Sequence, residues 1–244
     1  MDIRKIEKLS IIVPCYNEAP TLQLIIDEVI AADIGGTKKE IIIIDDKSTD
    51  ATADVIKQLA KKHAEIRPIL QNRNQGKGAA LIAGIKQSTG DVLVIQDADR
   101  EYDPRDYLQM LKIFREDRAD IVFGSRFSGG APRRVVYLTN TIANKMMTRL
   151  SALLNGLYVS DIHTCYIMFN GDWIRTMAPK LRAKRFGFNP EIVAKIAKEK
   201  ESLRICETSV SYYGRTKSEG KKIGARDGIK AVWEIIYFNL FRRN

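Results

Sequence analysis

The first 125 residues predict an α/β fold: a mostly parallel sheet with helices on both faces. Three observations carry this. Strand-length apolar runs alternate with segments of helical spacing, in the order β-α-β-α, through five candidate strands. The runs are apolar at nearly every position rather than at every second one, as strands buried on both faces are. The polar clusters fall where strands end, which is where parallel sheets bind ligands.

Leu9–Val13 reads as a short strand that stops at Pro14. Residues 20–32 have helical spacing, with Leu22, Ile25, Ile26, Val29 and Ile30 on one face. Glu40–Ile44 is a β-branched strand ending in Asp45-Asp46, and Ser48-Thr-Asp-Ala-Thr52 is cap chemistry for a helix reaching about Lys62. Ile66–Leu70 is the third strand, Gly76–Gln87 the third helix and Val92–Gln96 the fourth strand. Pro104 stands where a helix can begin, and Ile121–Gly124 is the fifth strand. The second part is less regular. Val135–Asn155 has helical spacing, Tyr166–Phe169 reads as strand, Asp172–Met177 as a helical turn, 190–199 as helix and 203–212 as strand. Ala225–Phe241 is helical, with Ile229, Val232, Trp233, Ile236, Tyr237 and Leu240 on one face, so Trp233 and Tyr237 are expected to be buried against the domain or a partner.

With 45% hydrophobic and 29% charged residues, the 244-residue chain has the balance of a soluble protein of one or two domains. Cys15, Cys165 and Cys206 are odd in number and contain no Cys-x-x-Cys, so neither a disulfide framework nor a zinc cluster is indicated, and a reducing cytoplasm fits. No apolar run approaches the ~18 residues of a spanning helix, and the first residues lack a signal-peptide core. The net charge of +10 is uneven: residues 1–174 hold 23 basic and 23 acidic side chains, residues 175–244 hold 17 and 7. The C-terminal third therefore suits an anionic partner.

Four polar clusters follow the first four strands: Pro14-Cys-Tyr-Asn-Glu18, Asp45-Asp46, Asn72-Arg-Asn74 and Asp97-Ala-Asp99. Each alone is an ordinary loop; four in succession on one rim make a site. Asp97 and Asp99 lie just past a strand end, where a turn can aim both at one point. Two convergent carboxylates repel each other, and a divalent cation between them and a phosphate removes the repulsion. Alone, an Asp-x-Asp is as compatible with a solvated acidic turn.

Taken with Asn74-Gln-Gly-Lys-Gly78, Phe123-Gly-Ser-Arg126, Asp161-Ile-His-Thr-Cys-Tyr166, Phe186-Gly-Phe-Asn-Pro-Glu191 and the loop Tyr213–Lys222, these motifs resemble the family-2 glycosyltransferases. Within that family the chain is most similar to the dolichyl-phosphate mannose and polyprenyl-phosphate glucose synthases, over nearly its whole length. The resemblance implies a GT-A nucleotide-diphosphosugar transferase fold. Residues 1–224 would form that domain, 1–125 binding the nucleotide sugar and 126–224 the acceptor, followed by an amphipathic helix over 225–244. It implies that Pro14, Tyr16, Glu18, Asp46, Gly76, Lys77, Asp97 and Ala98 line the nucleotide pocket. Asp97 and Asp99, with Glu101, would hold Mg²⁺ or Mn²⁺ against the donor diphosphate. Some relatives carry Gln where Glu101 stands. Arg126 and one of Arg133 or Arg134 would meet the acceptor phosphate, Arg215 and Lys217 would close over the phosphates, and Asp161 would be a third catalytic carboxylate near the sugar.

The activity implied is metal-dependent, inverting transfer of a hexose, glucose or mannose, from a UDP- or GDP-sugar to a polyprenyl or dolichyl phosphate. A soluble glycan or protein acceptor is the alternative. A non-catalytic module whose basic third holds nucleic acid or acidic membrane is a further reading, which the four-loop rim argues against; nucleic acid is not expected as a partner. Lys221, Lys222, Arg226, Lys230, Arg242 and Arg243 surround the apolar stripe of the last helix, a pattern suited to peripheral attachment to an anionic membrane at its cytoplasmic face, or to packing on the protein itself. His163 reads as structural, and Cys15 and Cys165 as packed rather than nucleophilic.

Overall fold

The computed structural model describes residues 4–135, 138–185, 187–216 and 225–241, with only the backbone for 225–227. Among these residues one seven-stranded sheet is formed by β1 (Lys8–Cys15), β2 (Lys38–Asp45), β3 (Ile66–Leu70), β4 (Val92–Ile95), β5 (Ile121–Ser125), β6 (Ile167–Asn170) and β7 (Ile205–Ser209). Their order is β3-β2-β1-β4-β6-β5-β7. Every pairing is parallel except those of β6, which runs antiparallel to both β4 and β5. The helices are α1 (Ala19–Ala31), α2 (Thr52–Lys62), α3 (Lys77–Gln87), α4 (Tyr107–Arg115), α5 (Leu138–Asn155), α6 (Gly171–Met177), α7 (Phe188–Lys198) and α8 (Ala225–Ile236).

Strand side chains alternate between faces, so a strand apolar throughout feeds two cores. In β1, Leu9, Ile11, Val13 and Cys15 join the core under α1, α2 and α4, whose contributions include Leu22, Ile25, Ile26, Ile56, Leu59, Met110 and Phe114. Ile12 points the other way, with Ile42, Ile44, Leu93 and Ile95, into a core closed by Leu81 and Ile85 of α3, Ile174 of α6 and Ile192 of α7. Each such fully buried side chain contributes about 1.5–3 kcal/mol of burial free energy. The buried amide oxygen of Gln96, one residue past β4, accepts the hydroxyls of Tyr107 and Tyr166, each at 2.5 Å. It thereby ties α4 to the loop that precedes β6.

Two helices depart from the sequence reading. Val135, expected to open a helix, is not helical, and the helix is described from Leu138 on; ahead of Val135, Arg134 donates its N–H to the Tyr212 carbonyl (2.8 Å) and Arg133 bridges Tyr212. The last helix ends at Ile236 and widens into a π turn over Tyr237–Phe241, where the Asn239 amide donates to the Ile235 carbonyl (2.7 Å). Trp233 is 58% exposed and so is not buried against the domain, while Ile235 of α8 and Phe238 of the π turn face inward.

Candidate active site

The antiparallel sense of β6 decides what reaches the ligand rim. Parallel β1, β2, β4 and β5 present their carboxyl ends there; β6 presents its amino end, and so brings in the preceding loop, residues 161–166. In sheet order the rim reads Asp46 after β2, Tyr16 and Glu18 after β1, Asp97 to Glu101 after β4, His163 and Cys165 before β6, and Arg126 after β5. A cavity of about 1940 Å³ opens over this rim and extends beneath α5 and α8.

Of the residues expected in the site, Pro14, Tyr16, Glu18, Asp46, Gly76, Lys77, Asp97, Ala98, Asp99, Glu101, Arg126, Arg133 and Arg215 all line that cavity. Arg134 instead directs its guanidinium at the Gly214 carbonyl (3.4 Å). Lys217 lies outside the described residues, as do Phe186, Lys221, Lys222, Arg242 and Arg243, and the side chain of Arg226 is not described.

The acidic turn after β4 is met by two cations. The Lys77 ammonium donates to Asp97 Oδ1 (2.5 Å) and contacts Cys165 Sγ (3.0 Å). Burial alone would raise the Asp97 carboxyl, but the adjacent Lys77 holds it below its ordinary value; Lys77, which burial would lower, is raised by Asp97. Arg215 reaches Asp99 Oδ2 (2.8 Å) and lies 3.7 Å from Glu18 Oε2. Its backbone N–H donates to Glu101 Oε1 (2.8 Å), while the Tyr212 hydroxyl donates to Glu101 Oε2 (2.7 Å). Even so, burial, and then the charges of Asp97 and Glu101, push Asp99 up to about 7.

This bears on a metal. The donor set is hard carboxylate oxygen, suited to Mg²⁺ or Mn²⁺, and the raised Asp99 marks a place where positive charge is short. Among the described residues no three acidic, histidine or cysteine side chains are grouped as a complete ligand set. The residues therefore fit an ion that takes the rest of its shell from water and a bound phosphate, as Mg²⁺ commonly does.

Asp46 is buried, and its two oxygens accept the backbone N–H groups of Gln75 (2.8 Å) and Gly76 (2.6 Å). It thus holds the turn that starts α3. Gly76 has φ +94°, and a Cβ on Gly78 would lie 2.1 Å from the Ala183 carbonyl oxygen. Both glycines are required by the close pass of segment 183–185, whose Arg185 and Lys184 carbonyls accept the N–H groups of Gly78 (3.2 Å) and Ala79 (3.1 Å).

Asp161 is fully buried and stands behind the cavity wall. Arg126 clamps it bidentately, Nε to Oδ2 at 2.6 Å and Nη2 to Oδ1 at 2.8 Å, and the Asn144 amide donates to Oδ1 (3.1 Å). Burial opposes the charge on Asp161, and Arg126 holds its carboxyl below the ordinary range. Here Asp161 positions Arg126, whose guanidinium also lies 5.0 Å from the centre of the Tyr212 ring. That ring belongs to a stack, Tyr102 against Tyr166 (4.6 Å) and Tyr212 (5.2 Å), which the sequence reading missed because its members come from three distant segments. Asn189, within the Phe186–Glu191 motif, donates to the Thr164 carbonyl (2.5 Å) and pins the 161–166 loop from α7.

The wall beneath α5 and α8 is different in kind. Met146 and Ile229 line the cavity and are 65% and 74% exposed, and Leu138, Ile142 and Trp233 are exposed beside them. Arg73, Lys184, Arg185 and Lys230 gather with Glu234 around a smaller adjoining cavity of about 410 Å³. No helix among the described residues is long and apolar enough to cross a membrane.

The model of the family described as glycosyl transferase family 2 matches residues 10–177. The chain is 32% identical over 160 residues to an undecaprenyl-phosphate 4-deoxy-4-formamido-L-arabinose transferase of Photorhabdus laumondii, a match covering 65% of this chain and 49% of that protein. It therefore spans about half the length of the formamido-arabinose transferases it matches. Over 247 residues it is 24% identical to a UDP-N-acetylglucosamine–dolichyl-phosphate N-acetylglucosaminyltransferase of Methanococcus voltae, covering 95% of this chain and 96% of the other. Among solved structures, mannosyl-3-phosphoglycerate synthase of Rubrobacter xylanophilus superposes with TM-score 0.72 at 17% identity, over 97% of this chain and 74% of that one. Glucosyl-3-phosphoglycerate synthase of Mycobacterium tuberculosis, solved with Mn²⁺, uridine diphosphate and phosphoglyceric acid, gives 0.68 at 17%, over 96% and 79%. The fold is that of the GT-A glycosyltransferases.

Proposed function

This chain belongs to glycosyl transferase family 2, and on that premise we propose that it moves a sugar from a uridine-diphosphate sugar to the phosphate of a polyprenyl or dolichyl lipid. The observation that carries the reading is the single cavity in which a carboxylate cluster, the guanidinium groups of Arg126 and Arg133 and an exposed apolar wall meet. A donor diphosphate needs the first, an acceptor phosphate the second and an isoprenoid chain the third.

The nucleoside lies against Pro14, Tyr16 and Glu18, with Asp46 shaping the turn beside it. Asp97 and Asp99, with Glu101 beside them, would hold Mg²⁺ or Mn²⁺, which would supply positive charge at the leaving diphosphate. Lys77 and Arg215 bring cations to the same charge, and when a diphosphate enters, Arg215 turns from Asp99 to its oxygens. The acceptor phosphate, with a second pKa of about 6, is already an anionic nucleophile at neutral pH. Its need is for countercharge rather than a base, and Arg126 and Arg133 provide it; guanidinium forks match phosphate oxygens. Asp161 keeps Arg126 aimed. A single in-line displacement inverts the anomeric carbon.

Exposed apolar side chains of α5 and α8, flanked by Arg73, Lys184, Arg185 and Lys230, support reversible attachment to an anionic membrane. Three free cysteines suit its cytoplasmic face. The test is transfer of label from UDP-glucose and UDP-N-acetylglucosamine to undecaprenyl or dolichyl phosphate in detergent, with 3-phosphoglycerate as the soluble comparison. Labelled lipid of inverted configuration is expected. Slow donor hydrolysis alone, or transfer only to the soluble phosphate, overturns the reading.

A further inference from the structure

One polar atom in the wall of the cavity is left over by the mechanism above. The Nε2 atom of His163 is buried and has no hydrogen-bond partner among the described residues, although His163 lines the cavity. Its loop is firmly built. The His163 N–H approaches Asp161 Oδ1 (3.3 Å), the Cys165 N–H donates to the Tyr102 hydroxyl (3.1 Å), and Asn189 holds the carbonyls on either side, those of Ile162 (3.4 Å) and Thr164 (2.5 Å). A loop held at four points does not relax easily to satisfy an orphaned ring nitrogen, and buried polar groups in native proteins normally have partners.

Rim order says what the missing partner is. The 161–166 loop precedes β6, which stands between β4, bearing Asp97 and Asp99, and β5, bearing Arg126. A group above His163 therefore lies between the place for the leaving diphosphate and the place for the incoming phosphate. In a group transfer, what lies between leaving group and nucleophile is the group transferred. We infer that His163 is a specificity-determining residue whose imidazole hydrogen-bonds a hydroxyl of the donor's sugar; this rests on the proposed transferase reading.

The ring's charge state agrees. Burial lowers the His163 pKa to about 4, with Asp161 opposing and Arg126 adding to the shift, so the imidazole is neutral at pH 7. A neutral imidazole both donates and accepts, as a sugar hydroxyl does; a phosphate would call for a cation. A site built to hydrogen-bond a hydroxyl discriminates strongly against ligands lacking it, because its own polar atom is then left unpaired.

The experiment is calorimetric titration of wild type, His163→Ala and His163→Gln with UDP, UDP-glucose and UDP-N-acetylglucosamine, in the presence of Mn²⁺. UDP ends before the sugar, so it serves as the internal control. In His163→Ala, UDP affinity should stay within about twofold, while affinity for at least one UDP-sugar falls roughly tenfold or more. His163→Gln, whose amide also donates and accepts, should recover most of the loss. Equal weakening of UDP and UDP-sugar in His163→Ala marks a structural role and overturns the inference, as does no weakening of either. A wild type that binds neither UDP nor UDP-sugars removes the transferase reading and this inference together.

Discussion

The cavity has two walls built on opposite plans. On the β1–β4 side the charges lie on short turns after buried strands, and each is met by an opposite charge from a distant segment: Lys77 with Asp97, Arg215 with Asp99. On the α5–α8 side, Met146 and Ile229 of the lining, and Leu138 and Trp233 elsewhere on the same helices, are each more than half exposed. The first wall buries negative charge that the bare fold offsets only in part: Asp99 is raised first by burial and then by the charges of Asp97 and Glu101. The second leaves apolar surface that monomeric soluble proteins seldom keep without a use. Both carry a local cost in the isolated chain, and each is relieved by a different substrate.

The sharpest break of this comparison is Asp99→Asn. Removing a carboxylate that is repelled by Asp97 and Glu101 should leave thermal stability equal or higher, while transfer to polyprenyl phosphate falls by about 10³-fold, the scale for loss of one electrostatic stabiliser of a developing anion. Activity assay and melting curve together decide it. A variant that loses both alike would make the acidic turn structural.

Asp161 belongs to neither wall, and its removal should be felt in the fold. Asp161→Ala leaves the Arg126 guanidinium, 15% exposed at the cavity wall, without its carboxylate; breaking a fully buried pair costs about 3–5 kcal/mol, and this partly open one somewhat less. Urea unfolding should show that loss, together with weaker use of the acceptor. A near-neutral result would mean that Arg126 finds another partner, and Asp161 would return to consideration as a group acting on the sugar.

The two walls also differ in how readable they were. The β1–β4 side follows from local rules: apolar strands, polar turns at their carboxyl ends, and an Asp-x-Asp where a metal and diphosphate make chemical sense. Strand limits moved by one or two residues at most places. The other side depends on long-range decisions. Nothing local in Ile167–Asn170 says that this strand runs antiparallel between β4 and β5, yet that choice puts His163 on the rim and Asp161 behind it. Trp233 illustrates the same limit: its helical face was apolar, and apolar periodicity states which residues share a face, not whether that face meets protein.

Acid should expose His163 as a weak point at the join of the two walls. Its folded pKa of about 4 lies below the 6.5 of a free histidine. Between those values the unfolded chain binds the proton and the folded one does not. Stability from this group is therefore complete above pH 6.5 and falls as the pH drops toward 4, by up to about 3 kcal/mol. Ordinary carboxylates titrate below most of this window. Unfolding free energies of wild type and His163→Gln at pH 7, 5.5 and 4.5 should diverge, with the variant flatter; parallel curves would show that the imidazole is not desolvated as described.

The apolar wall should respond least in the fold and most at a lipid surface. Ile229 and Trp233 are mainly exposed, so the double variant Ile229→Glu, Trp233→Glu forfeits little packing, and its unfolding free energy should stay within about 0.5 kcal/mol of wild type. Two lost apolar insertions and two added negative charges next to Lys230 should lower binding to vesicles of phosphatidylglycerol and phosphatidylcholine at least tenfold or so. Added salt should weaken wild-type binding only partly, since it screens the basic cluster and leaves the apolar contribution intact. Transfer to a short, water-soluble prenyl phosphate should decline less in the variant than transfer to a long-chain acceptor in vesicles. If instead the double variant unfolds more readily by 1 kcal/mol or more and binds vesicles as before, α8 is held by the protein alone, and the contrast between the walls reduces to one of composition.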